Sequence, residues 1–188
     1  LLTWIDENWD PEISVKEWWR RLSNAGLSNP TLGEPFGRSW DRSNTRLLAS
    51  VIRERGAVGS PAGLGMMLAA PTILSFGTEE QIKRYVPRIL DGTDSWCQLF
   101  SEPGAGSDLA GLQTKAVRDG DEWVITGQKV WTSEGQHADW GMLIARTDLD
   151  APKHRGISWF AFPMAQSGVE IRPLKEMTGR ALFNEVFI

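Results

Sequence analysis

The chain changes its hydrophobic period once, near residues 92–95, and nothing else in it constrains the fold as much. Up to Gly92, apolar side chains recur at helical spacing. From Ser95 on, they fall in short runs broken by Gly, Pro or Asp, the spacing of strands. This predicts an α+β architecture, with an all-α helical domain over residues 1–94 followed by a β domain over residues 95–188. No flexible linker, repeat or low-complexity segment marks the switch.

In the helical half, Ser14-Val-Lys-Glu17 has the form of a capping box, and Trp18, Trp19 and Leu22 then mark one apolar face. Leu47, Leu48, Val51 and Ile52 sit at helical spacing within residues 43–55, and Gly56 ends that run. Pro61 is expected to open an apolar helix through Met66, Met67 and Leu68, broken or kinked near Pro71. Thr78-Glu-Glu-Gln81 is a second capping box, starting a helix through Ile82, Tyr85 and Val86. Pro87 should kink or split it before Leu90, and Gly92 closes it.

In the β half, Asp119-Gly120 lies between Thr114–Arg118 and Glu122–Thr126, a strong hairpin signal. Trp140–Arg146, Ile157–Phe162, Val169–Arg172 and Glu185–Ile188 are further β-type runs. Several short strands at this spacing predict a barrel or a sandwich.

Composition removes several function classes. A hydrophobic fraction of 41% supports a real core rather than disorder. Twenty basic residues against 24 acidic ones, with no long run of either sign, argue against nucleic acid as a partner. Cys97 is the single cysteine, which excludes an internal disulfide and fits a reducing, cytoplasmic setting. It reads as a small buried hydrophobe rather than a nucleophile. The longest apolar stretch, Leu64 to Phe76, is too short for a membrane span and contains Pro71. Asp6, Glu7 and Asp10 do not fit a signal peptide, and both ends of the chain read as cut. His137 and His154 stand apart, so no metal site is expected. The ten tryptophans are read first as core packing and second as surfaces for a flat ligand.

The stretch Gln98-Leu-Phe-Ser-Glu-Pro-Gly-Ala-Gly-Ser-Asp108 carries the chemistry. A strand enters a turn in which Gly104 and Gly106 let backbone N–H groups converge on an anion, and Ser107 adds a hydroxyl. It is not a dinucleotide fingerprint, because Leu109 stands where a third glycine is needed, and no Gly-Lys-Ser/Thr follows as in a P-loop. Taken alone it is an ordinary turn. Gly127-Gln-Lys-Val-Trp-Thr-Ser133 follows the hairpin and sets Trp131 among hydroxyl residues, suited to cover a heteroaromatic ring and bond its edge. Its ordinary reading is a core tryptophan with Thr132 on the opposite pleat. Glu102 reads as a turn carboxylate capping local N–H groups rather than a general base. Lys153-His-Arg155 reads as a solvated basic loop before a site for CoA phosphates.

Taken together, residues 98–108, Thr114-Lys-Ala116, Gly120 through Ser133, and Ala138-Asp-Trp140 through Ala145-Arg-Thr-Asp148 resemble the acyl-CoA dehydrogenase family. Gly77 through Pro87 and Leu90-Asp-Gly92 are similar to the segment preceding the flavin strand there. The resemblance covers nearly the whole chain. It implies an N-terminal helical domain, then a middle β-barrel domain that binds FAD, with a C-terminal helical bundle missing. Gln98, Leu99, Phe100, Ser101, Gly106, Ser107, Trp131, Thr132 and Ser133 would border the cofactor. Of these, Gly106 and Ser107 would lie at its pyrophosphate, Trp131 on the isoalloxazine, Ser133 near N5, and Ser107 also near the acyl-CoA. Ser101 replaces a frequent Thr, and Arg180 matches the family pattern only loosely.

The activity implied is α,β-dehydrogenation of an acyl-CoA thioester to a 2-enoyl-CoA. The catalytic base would lie in the missing bundle, so that this stretch alone would be inactive. The resemblance further implies an electron-transfer flavoprotein as partner and a homo- or hetero-tetramer. Its alternatives are an acyl-CoA oxidase, a flavin monooxygenase or a non-catalytic subunit on the same fold. A tryptophan-rich, sugar-binding β domain is the reading without the resemblance.

Overall fold

The computed structural model describes residues 1–188. It divides into two compact units, Leu1–Asp94 and Ser95–Ile188.

The first unit contains α1 (Leu2–Asn8), α2 (Val15–Asn24), α3 (Arg42–Glu54), a π-helical turn (Gly65–Ala69) running into α4 (Ala70–Phe76), and α5 (Glu79–Leu90). α2 starts where the Ser14 hydroxyl accepts the Glu17 N–H. The return bond of the expected capping box is absent, because the Glu17 carboxylate is held by Arg20 and Arg21 at 2.7 and 2.8 Å. Two charged donors compete well against one backbone N–H. Ile5, Trp18, Leu22, Leu27, Leu48, Val51 and Ile52 form a buried cluster. The Trp18 and Trp19 indole N–H groups donate to the carbonyls of Val58 and Gly59 at 2.6 and 2.7 Å, fastening the segment after α3 to α2. Leu47 does not join this face and is exposed. It lies one helical step, about 100°, before Leu48, at the margin of the apolar stripe.

The helix expected from Pro61 starts later. Residues 61–63 are irregular, the π-turn follows, and Pro71 is the second residue of α4, just where the π-turn ends. The capping box of α5 is complete, with Thr78 and Gln81 exchanging both bonds. Pro87 does not split α5. Tyr85 and Val86 before it and Ile89 and Leu90 after it are all buried. Burying such side chains is worth roughly 1.5–3 kcal/mol each, against about 3 kcal/mol for an interior proline. Gly92 takes φ +69° beside the Trp19 ring, where a Cβ would collide.

The second unit has eight strands: β1 (Trp96–Leu99), β2 (Lys115–Asp119), β3 (Glu122–Thr126), β4 (Gln128–Ser133), β5 (Trp140–Arg146), β6 (Ile157–Pro163), β7 (Glu170–Leu174) and β8 (Phe183–Phe187). β5 organises one sheet. It pairs in parallel with β1 along Trp140–Leu143 and with β2 at Arg146, and antiparallel with β6 along its whole length. Its middle residues Gly141 to Ala145 are all buried, as suits a strand covered on both faces. The β2–β3 hairpin forms one residue later than its Asp-Gly signal suggests. Asp119 pairs with Glu122, and Gly120, at φ +59°, and Asp121 make the turn.

β4, β8 and β7 form a second, antiparallel sheet. Cys97, Leu99, Leu143, Phe162, Met164 and Val186 from both sheets share one core. The Val130 N–H donates to the Ser101 carbonyl at 2.9 Å, joining the edge of the second sheet to the end of β1. The strands thus wrap one core as two linked sheets of a middle β domain. Burial pushes the Cys97 thiol up to about 12, so it stays protonated and inert.

Of the ten tryptophans, Trp18 and Trp96 are buried, and Trp4, Trp9, Trp19 and Trp40 pack on the helical core. Trp96 stacks with Trp140 and Trp159. Only Trp123 and Trp131 are largely exposed. No helix is long and apolar enough to cross a membrane.

Candidate functional site

The glycine turn leaves β1 at Phe100. Glu102 and Ala105 bond to each other's backbone at 2.8 and 3.1 Å around Pro103 and Gly104. Neither Gly104 nor Gly106 has positive φ, and a Cβ at either would meet nothing within 4 Å. The fold therefore has no need of its own for glycine at these positions. The N–H groups of Gly104, Gly106 and Ser107 have no acceptor in the chain, and the hydroxyls of Ser101, Ser107 and Ser133 have no partner. Asp108, which would repel an anion at this turn, is paired with Lys153. Lys153 lies in an exposed turn, as expected of a solvated basic loop, and pairs there with Asp108.

A buried ion pair holds the turn in place. The Lys129 ammonium, 0% exposed, meets the Glu102 carboxylate at 2.8 Å and donates to the Phe100 carbonyl at 3.1 Å. Glu102 also accepts from the N–H groups of Gln113 (2.6 Å) and Thr114 (3.0 Å) and from the Thr114 hydroxyl (2.6 Å). Burial alone would raise the Glu102 pKa, but these donors outweigh it and hold the carboxyl below the usual range. Burial lowers that of Lys129 despite its partner. Glu102 is therefore a structural acceptor and not a free base. Lys129 was not foreseen from the sequence. The signal was a lysine at an inward strand position of the same stretch that carries Trp131.

β4 is bulged just after Lys129. Lys129 pairs with Val186 and Thr132 with Asn184, so Val130 and Trp131 together face Glu185 alone. Trp131 takes φ +61°, in the left-handed region that costs a non-glycine residue about 1–3 kcal/mol. Bulges re-aim side chains. Here the indole is turned outward, 63% exposed, with a T-shaped contact to Phe183 at 6.0 Å between centroids. The ordinary reading of a core tryptophan is thereby excluded. Thr132 takes the inward place, fully buried, with an unpartnered hydroxyl. Asn184, also buried, fixes Gln136 through two hydrogen bonds at the end of this segment.

The candidate residues thus divide. Trp131, Ser133, Ser101, Gly106 and Ser107 present an exposed ring, free hydroxyls or open backbone. Phe100 is half-buried against Ala105, Leu112 and Ile144, and its carbonyl is taken by Lys129. Gln98 is half-buried on β1, opposite Met142. The side chains of Leu99 and Thr132 are enclosed in the core, Leu99 through the alternation of β1 and Thr132 through the bulge that shifts the phase of β4.

Two family models match the chain. The acyl-CoA dehydrogenase N-terminal domain matches residues 3–93, and the acyl-CoA dehydrogenase middle domain matches residues 97–186. The chain belongs to the acyl-CoA dehydrogenase family. It is 51% identical over 167 residues to acyl-CoA dehydrogenase FadE34 of Mycobacterium tuberculosis, covering 89% of this chain and 23% of that protein. Among solved structures, the Tcur3481-Tcur3483 steroid ACAD superposes with a TM-score of 0.76 at 35% identity, over 92% of this chain and 44% of that one. The ChsE4-ChsE5 complex from Mycobacterium tuberculosis gives 0.74 at 32% identity, over 99% and 50%. The chain therefore spans half or less of the length of these proteins.

Proposed function

We propose that this chain supplies the flavin-holding part of an FAD-dependent acyl-CoA dehydrogenase, which converts an acyl-CoA thioester to the 2-enoyl-CoA. The observation that carries the reading is Trp131, held outward at a strained bulge on the strand that Lys129 ties to the glycine turn. A fold that spends strain to expose an indole beside open N–H groups is suited to a flat ring that bears phosphates.

The residues present fit FAD. Gly104, Gly106 and Ser107 offer unpaired donors beside open space for a pyrophosphate. Trp131 would cover a ring face, and the Ser133 and Ser101 hydroxyls would bond its edge. Bound FAD would supply the hydride acceptor of the reaction. The chain's own share is orientation: Glu102 and Lys129 fix the distance between turn and bulge, and Asp108 is neutralised by Lys153. No residue within 1–188 is assigned as the base, since Glu102 is committed to its four donor groups. The base is expected from the part of the protein beyond this chain.

The substrate would be an acyl-CoA, with a bulky ring-bearing acyl group favoured by the likeness to the steroid ACAD. An electron-transfer flavoprotein would reoxidise the flavin. A mixed oligomer is favoured over a homo-tetramer by the likeness to the ChsE4-ChsE5 complex. The test is anaerobic: the full-length protein, purified with its flavin, should bleach on addition of such a thioester and yield an enoyl-CoA. Rapid reoxidation by oxygen would indicate an oxidase instead, and no bleaching with any thioester would indicate a supporting subunit.

A further inference from the structure

The helical unit contains a cavity of about 620 Å³ that the flavin reading does not use. Its walls are the loop at Leu27–Pro30, one face of α3 through Thr45, Ala49, Ile52 and Arg53, and the segment Gly56–Ser60, with Met66 at one side. The volume lies within the range of small-molecule sites, and most of the lining is apolar, as such sites are. The wall at Gly59 is preformed, because the Trp19 indole holds its carbonyl and the Trp18 indole holds that of Val58 next to it.

Two polar features stand out against that lining. Ser28 is 6% exposed, and its hydroxyl has no hydrogen-bond partner in the protein. An enclosed hydroxyl without a partner is costly, and native structures seldom leave one without a reason. Arg53 is exposed and engages no carboxylate or carbonyl of the chain, unlike Arg55, which pairs with Asp6. The remaining polar groups of the wall are largely occupied: the Thr45 hydroxyl donates to the Asp41 carbonyl at 2.9 Å, and the Asn29 side-chain oxygen accepts from Thr31 at 2.7 Å.

We propose that this cavity binds a hydrophobic carboxylate, its apolar body against Ile52, Ala49 and Met66 and its carboxylate shared between the Ser28 hydroxyl and Arg53. Apolar lining selects the body, and the unpaired guanidinium selects an anion over a neutral lipid. A fatty acid and a steroid acid share this chemistry. The site goes beyond the flavin reading, for it lies wholly within residues 27–66 and shares no residue with the turn or the bulge.

The test uses the full-length protein and two diazirine-bearing probes, a palmitate and a cholanoate. Adducts are mapped by mass spectrometry, and affinity is followed by calorimetry with the parent acids. At least one acid should bind saturably and label residues within 27–66, and the tighter of the two identifies the source. Ala49→Trp, which fills the cavity from an exposed helix position, should abolish that labelling while the melting temperature and flavin spectrum stay as in the wild type. Arg53→Gln should weaken the acid at least tenfold and leave its methyl ester unchanged. Ser28→Ala should weaken it about fivefold. Labelling that ignores Ala49→Trp, or no labelling of 27–66 by either probe, overturns the proposal and leaves the flavin site untouched.

Discussion

Replacing Lys129 by Met keeps the length of the side chain and removes its charge, leaving the Glu102 carboxylate buried without a counter-ion. Breaking a buried pair from one side costs about 3–5 kcal/mol. Glu102 would retain three donors, from Gln113 and Thr114, so Lys129→Met belongs at the lower end. Glu102→Gln is the harsher change, because the Lys129 ammonium, 0% exposed, would keep only the Phe100 carbonyl and Gln's oxygen. It belongs near 5 kcal/mol on the same scale. Urea melts of both variants and of the double variant give the two costs and their coupling. The double variant should cost less than the sum, because neither charge is then stranded.

The pair also sets an acid limit. The folded pKa of Glu102 lies below its ordinary value. Its contribution is therefore present above the unfolded pKa, about 4.3, and is lost as pH falls through the lower folded value. Glu102→Gln should flatten the stability profile in that window. Costs under about 1 kcal/mol for both single variants, the size of an exposed ion pair, would refute this reasoning.

Four further outcomes follow from the site. Trp131→Gly should stabilise the fold by about 1 kcal/mol or more through relief of the left-handed strain, while flavin retention falls; chemical denaturation and bound-flavin absorbance read the two effects separately. Thr132→Val, which removes a buried and unpartnered hydroxyl, should raise stability by about 1 kcal/mol, seen as a higher urea midpoint at unchanged slope. Ser107→Pro should abolish FAD binding by deleting both donors, whereas Ser107→Ala should cost about 1 kcal/mol, or fivefold in Kd by fluorescence titration. Residues 1–188 expressed alone should turn over no acyl-CoA in a dye-reduction assay and retain little FAD after gel filtration.

Much of this structure was legible in advance, and the gaps have physical causes. Thr78 and Gln81 announced the start of α5, and Gly56, at φ +64°, the end of α3, because caps are local chemistry. Pro87 leaves α5 unbroken, because burial of the residues around it is a tertiary effect that overrides a local one. The π-turn at Gly65–Ala69 has no signature in spacing. At the site, the glycines and Trp131 were visible as residue types, but the bulge that turns Trp131 outward depends on pairing with β8, some 50 residues away. Lys129 and Glu102 are likewise 27 residues apart and meet only once the sheets form. Alternation with Cys97 places Leu99 inward, whereas Thr132 owes its inward place to the bulge, which reverses the phase of β4 after Lys129.

The central claim is that the outward indole of Trp131 and the open turn beside it hold a flavin. The most direct measurement is the visible spectrum and flavin content of the full-length protein, wild type against Trp131→Ala, at matched fold stability. The account predicts a flavin band in the wild type that is shifted and depleted in the variant. Equal flavin content and superimposable spectra would contradict it.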